Sequence, residues 1–87
     1  MHNAEAGRFE CRRGDSLAVC EYSRSGDVID LHHTFVPDSL RGQGVAAILA
    51  EEALQYAKAH ALRVVPSCSY IDTYIRRHPE YSVLLRR

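Results

Sequence analysis

The sequence lacks net charge: eleven Lys and Arg residues balance eleven Asp and Glu residues over 87 positions. A nucleic-acid-binding domain usually carries a clear basic excess, so no nucleic-acid partner is expected. The one local basic cluster is C-terminal, at Arg76, Arg77, His78, Arg86 and Arg87, and it is opposed by Glu80. It suits a phosphate on a small molecule as well as a polymer. Paired cysteines are also missing. Cys11, Cys20 and Cys68 are odd in number and form no Cys-x-x-Cys pair. This argues against a disulfide scaffold or a structural zinc site, and no metal is expected. Unpaired thiols fit a reducing, cytoplasmic setting. No apolar run reaches the roughly 18 residues of a membrane span, so no membrane contact is expected. The opening Met-His-Asn-Ala-Glu-Ala-Gly has neither the basic start nor the apolar stretch of a secretory signal.

What is present suits one globular domain over residues 1–87, with 46% hydrophobic and 25% charged residues. The first part reads as strands. Residues 8–12 and 16–23 are β-prone and are separated by Gly14-Asp15. Ser25-Gly26-Asp27 turns the chain into residues 28–36. Alternation places Leu17 and Val19 on one face of the second strand, with Cys20 and Tyr22 on the other. In the third strand it places Ile29, Leu31, His33 and Phe35 together, opposite Asp30, His32 and Thr34.

The period changes at Gly44. Residues 44–60 read as a helix with Val45, Ile48, Leu49, Ala53, Tyr56 and Ala57 turned inward. Glu51, Gln55 and Lys58, flanked by Glu52, make a solvated face. Residues 62–66 form a short strand closed by Pro66. Ser69-x-x-Asp72 fits a capping box that opens a second helix. Ile71 and Ile75 of that helix face inward, and Pro79 stops it. Residues 80–87 read equally as a short strand or a frayed turn. A strand–helix–strand unit over 28–66 implies parallel strands. The expected fold is α+β: an antiparallel meander, then a parallel strand–helix–strand unit, in one mixed sheet with two main helices.

The chemistry is expected where strand meets helix, at Arg41-Gly42-Gln43-Gly44-Val45-Ala46. Two glycines let a ligand approach the backbone. The first N–H groups of the following helix have no internal partners, and the helix dipole adds positive charge there. Together these make a phosphate site, to which Arg41 adds a formal charge. Gly42-x-Gly44-x-x-Ala47 also fits a dinucleotide fingerprint. That motif needs an acidic residue about 20 positions further on, and no Asp or Glu lies between Glu52 and Asp72. A Walker loop is excluded because no Lys follows until Lys58.

Arg41-x-x-Gly44-x-Ala46 resembles the acyl-CoA diphosphate loop of the GNAT N-acetyltransferase superfamily. Arg63-Val64-Val65-Pro66-Ser67-Cys68 and Tyr74-Ile75-Arg76-Arg77-His78-Pro79-Glu80-Tyr81 look like a minimal branch of that superfamily, of about the length of this chain. The resemblance implies a truncated GNAT-like fold and acetyl-CoA (coenzyme A) as the cofactor. The diphosphate would rest on Arg41, Gly42, Gln43, Gly44, Val45 and Ala46. The pantetheine arm would lie beside Phe35 and Val36, in a wedge where two parallel strands part, with Ser67, Cys68 and Tyr74 around its acyl end. An amine then attacks the thioester carbonyl. The resemblance gives Tyr74 the role of acid for the departing thiolate, which a neutral phenol can fill. Cys68 is a second catalytic candidate, because a helix N-terminus favours thiolate. One of His32 and His33 could act as base, but adjacent strand residues point to opposite faces and cannot share a metal. Cys11 and Cys20 read as structural.

The sequence departs from the superfamily on the acceptor side. The early strands are joined by tight turns, which leave no room for the helices that help to bind the acceptor. The implied activity is acetyl transfer to an amine of unspecified kind. The alternatives are a noncatalytic acyl-CoA-binding module and an interaction domain with a relic loop. The sequence sets no oligomeric state.

Overall fold

The computed structural model describes residues 1–86; of the ambiguous 80–87 segment and the C-terminal basic cluster, Arg87 lies outside the described residues. A two-residue strand, β1 (His2–Asn3), which the sequence reading did not include, adds to the edge of β2 (Arg8–Arg13). β3 (Ser16–Ser25) and β4 (Val28–Phe35) complete an antiparallel meander. Gly14 and Gly26, both at φ +59°, make the two tight turns possible. A 3₁₀ turn, Asp38–Leu40, and the glycine loop lead into α1 (Val45–Ala59). The chain then returns as β5 (Arg63–Val65), parallel to β4, and continues into α2 (Ser69–Arg77) and a 3₁₀ segment, Pro79–Leu84. The sheet order is β1-β2-β3-β4-β5, so the mixed α+β sheet with two main helices is as expected. The 80–87 ambiguity resolves into that 3₁₀ segment, followed by a single parallel bridge between Val64 and Leu85.

The core fills one face of the sheet. Phe9, Ala18, Cys20, Ile29, Leu31 and Val64 meet Val45, Leu49, Ala50, Ala53, Leu54 and Ala57 of α1, and Ile71 and Ile75 of α2 close its end. Fully burying each large aliphatic side chain contributes about 1.5–3 kcal/mol. The stripe on α1 includes Ala50 and Leu54 but not Ile48, which is 46% exposed. This corrects the sequence expectation. The buried residues repeat at i, i+4, i+5, i+8 and i+9 from Val45, and that arc turns Ile48 to its edge.

Two irregularities shape β4. Tyr22 pairs with Leu31, but its neighbour Glu21 pairs with His33, so the register skips His32. This bulge reverses the alternation beyond it. Thr34, opposite Cys20, now shares the helix side of the sheet, while His33 and Phe35 leave the Ile29–Leu31 face on which the sequence pattern placed them. The second irregularity is on the β5 side. Pairing ends at Asp30 with Val65. Arg63 donates its N–H to Asp27, and a continued ladder would give the Ser67 N–H to Leu31. The Cys68 N–H takes the Leu31 carbonyl instead, at 2.9 Å. Beyond that bond no β5 residue pairs with β4, so the strands part, with Pro66 at the break.

Candidate functional site

The loop ahead of α1 is built by two left-handed residues. Gly42 lies at φ +79° and Gly44 at φ +74°, a region that strongly favours glycine. A Cβ at either position would meet nothing within 4 Å, so the loop faces open space. Gly44 is the N-cap and offers no side chain to the helix. The first N–H groups of α1 therefore point outward without an internal or capping partner. Gln43, exposed, turns its amide back to the Ser39 carbonyl (3.0 Å), which braces the loop from outside. Arg41 is exposed and rests against Asp38 at 3.1 Å, an exposed pair that contributes little to stability.

Beside the loop lies a cleft of about 170 Å³, lined by Val36, Leu40, Arg41, Gly42, Gly44, Val45, Ala46, Ala47 and Tyr70. It joins six of the residues singled out in the sequence: Val36, Arg41, Gly42, Gly44, Val45 and Ala46. Gln43 is on the loop but not in the wall. Phe35 is half exposed on the last residue of β4, and Ser67 is exposed at the β4–β5 break. Tyr70 was not anticipated. Its only sequence signal was its place one turn before Tyr74 at the start of a helix.

Cys68, rather than Ser69, is the N-cap of α2, with φ −74° and ψ 128°. The capping box is therefore not formed: Ser69 is already helical, and Asp72 pairs with Arg76 one turn on at 3.1 Å. The Cys68 sulfur lies 3.4 Å from the Thr34 hydroxyl, which the β4 bulge turns toward it. Partial burial pushes this thiol up. The Thr34 hydroxyl and the N–H groups of Ile71 and Tyr70 outweigh that effect, and the net result is a lowered pKa. Cys20, on the other side of Thr34, is fully buried, and desolvation pushes it up to about 11. One threonine thus sits between a thiol whose pKa is lowered and one whose pKa is raised.

Tyr74 does not line the cleft. Its hydroxyl donates to Glu51 of α1 at 2.8 Å, and the Tyr81 hydroxyl donates to the other carboxylate oxygen at 2.6 Å. The Gln55 amide donates to the same carboxylate (3.2 Å) and to Tyr81 (2.6 Å). Glu51 is thus half-buried and bonded, not part of a solvated face. Burial and then the Glu51 carboxylate raise the Tyr74 phenol well above its ordinary value. The Tyr81 and Tyr74 hydroxyls in turn hold the Glu51 carboxyl below its ordinary range. His32 and His33 are both exposed. Among the described residues no group of three or more His, Cys, Asp or Glu could hold a metal ion, and no helix is long and apolar enough to cross a membrane.

A mixed sheet that opens beside a glycine loop and an uncapped helix is the arrangement expected of a GNAT-like α+β fold. The family model for GCN5-related N-acetyltransferases matches residues 8–84. The mouse protein NATD1 is 40% identical over 81 residues, which cover 90% of this chain and 74% of that one. The human NATD1 is 40% identical over 63 residues, covering 71% of this chain and 56% of that one. The solution structure of a GCN5-like protein from Staphylococcus aureus superposes with a TM-score of 0.67 over 93% of this chain and 90% of that one; at 21% identity it speaks for the fold alone. The chain belongs to the GCN5-related N-acetyltransferase family.

Proposed function

We propose that the protein transfers an acetyl group from acetyl-CoA to an amine. The observation that carries this reading is the uncapped start of α1, opened by two left-handed glycines and set beside strands that part. The diphosphate of the coenzyme takes the N–H groups from Gly42 to Ala46, with the guanidinium of Arg41 released from Asp38 to meet it. The pantetheine arm passes Val36 and Phe35 and uses backbone groups of β4 that have no β5 partner. The thioester then lies near the break at Pro66, with Ser67 and Cys68 about it. The neutral amine attacks the thioester carbonyl, a carbon–nitrogen bond forms as the carbon–sulfur bond breaks, and the proton lost by the attacking nitrogen balances the one taken up by the departing coenzyme A thiolate. Cys68 lies close enough in this reading to act on the acyl end. Tyr74, whose hydroxyl is occupied by Glu51, holds α2 against α1.

A noncatalytic acyl-CoA-binding module is the second reading. One observation favours it: the tyrosine in the place of the family's acid is held by a carboxylate and is a poorer acid for it. Calorimetry with acetyl-CoA on the wild type and on Arg41→Ala tests the shared part. The expected result is binding by the wild type and a loss of about tenfold, some 1.4 kcal/mol, in the variant; equal affinity would overturn the diphosphate assignment. Release of coenzyme A thiol with a panel of amines then separates enzyme from module.

A further inference from the structure

Across the cleft from the glycine loop stands Tyr70, in the first turn of α2. The loop side is polar at Arg41 and Gly42 and apolar at Val36, Leu40 and Ala47. The Tyr70 ring is 37% exposed. It leans on Tyr74, with ring centroids 6.4 Å apart. Tyr74 is in turn fixed by Glu51 and by stacking on His78 at 4.0 Å. Among the described residues the Tyr70 hydroxyl has no hydrogen-bond partner. A firmly backed aromatic ring with a free donor therefore faces a cleft that has Arg41 and the uncapped start of α1 at one end and apolar side chains at the other. Pockets of this kind take ligands that carry both characters side by side. In coenzyme A the two characters meet at one place, where the diphosphate is esterified to the pantoyl carbon chain with its two methyl groups.

We propose that Tyr70 is a specificity-determining residue that reads this junction, its ring covering the pantoyl methyls and its hydroxyl donating to a phosphoryl oxygen. The inference rests on the coenzyme reading given above and deepens it. It makes Tyr70, and not Tyr74, the tyrosine of α2 that touches the coenzyme. A diphosphate without the arm leaves the ring uncovered and depends little on it.

The test is calorimetric titration of the full chain with coenzyme A and with ADP, for the wild type, Tyr70→Phe and Tyr70→Ala. Tyr70→Ala should weaken coenzyme A binding by about tenfold or more, Tyr70→Phe by about threefold, and ADP binding should change by less than about twofold in either. Unchanged coenzyme A affinity in Tyr70→Ala, with normal binding by the wild type, would overturn the Tyr70 assignment and leave the loop assignment standing. Equal losses for coenzyme A and ADP would also overturn it, because the ring would then serve the loop in general. A wild type that takes no coenzyme A would remove both. A readout that needs no variant is the nuclear Overhauser effect between the Tyr70 ring protons and the two pantoyl methyls in the wild-type complex. It should be seen, and its absence in a saturated complex would sink the proposal.

Discussion

The C-terminal half of α1 is wrapped in aromatic side chains. Tyr56 stacks on His60 at 4.0 Å, meets His2 edge-on at 4.5 Å, and accepts a hydrogen bond from Arg24 at 2.8 Å. One turn earlier Glu51 is clasped by Tyr74 and Tyr81. The N-terminal end of the same helix has no such cover: Gly44 carries no side chain, and no capping bond is made there. The contrast shows that the bare end is not a loose end. The helix is fixed from its middle onward, so its free N–H groups stay aimed in one direction before any ligand arrives. Preorganised donors of this kind bind anions without an ordering cost at the moment of binding.

The largest way to break this contrast is to empty the wrapped half. Leu54→Ala removes a fully buried side chain and is expected to lower stability by about 2–5 kcal/mol, while the folded fraction keeps its affinity for acetyl-CoA. Gly44→Val does the reverse. A β-branched residue at φ +74° costs about 1–3 kcal/mol and places a side chain over the N–H groups, so acetyl-CoA binding is abolished. Thermal melting and calorimetry on the two variants check both halves. If Gly44→Val binds normally, the bare end is not the site.

Next in size is the clasp. Glu51→Gln is expected to lower stability by about 1–2 kcal/mol, through weaker hydrogen bonds to two phenols. Its pH dependence sharpens the point. The Glu51 carboxyl is held below its ordinary 4.5, so its contribution is present above 4.5 and is lost as pH falls through the depressed value. The Tyr74 and Tyr81 phenols are raised above 10, so their contribution is present below 10 and is lost as pH rises beyond it. The melting temperature should therefore fall at both extremes in the wild type, and both limbs should be shallower in Glu51→Gln. Parallel profiles would show that the carboxylate does not hold the phenols.

The smallest effect concerns the thiols. Cys68 should be alkylated by iodoacetamide before Cys20, which is buried and pushed up to about 11. Thr34→Val should slow Cys68 by about threefold, through loss of a thiolate partner. Peptide mass spectrometry over time reads both: modification of Cys20 first would contradict its burial, and an unchanged Cys68 rate in Thr34→Val would contradict the role of Thr34.

Much of this fold could be read from local residue patterns. Gly14-Asp15 and Gly26-Asp27 announced the turns, the change of period at Gly44 announced α1, and the loop glycines proved to need positive φ. The bulge in β4 could not be read that way. A run such as Val-Ile-Asp-Leu-His-His-Thr-Phe alternates equally well with or without a skipped residue. Only pairing with β3 shows that His32 is passed over and that Thr34 turns in. Glu51 was hidden for a similar reason. Its i, i+4 partner Gln55 suggested a wet helix face, while the two phenols that cover it come from residues 23 and 30 positions away. Cys68 displaced Ser69 as the cap because the Leu31 carbonyl claims the Cys68 N–H, and no local pattern reports that tertiary bond.

The one-residue slip at the end of β5 behaves like a skipped tooth on a zip fastener. The Leu31 carbonyl is closed by the Cys68 N–H rather than by the Ser67 N–H, which throws the two parallel edges out of step. The slot is therefore written into the backbone pairing of the folded chain and does not have to be prised open by a guest.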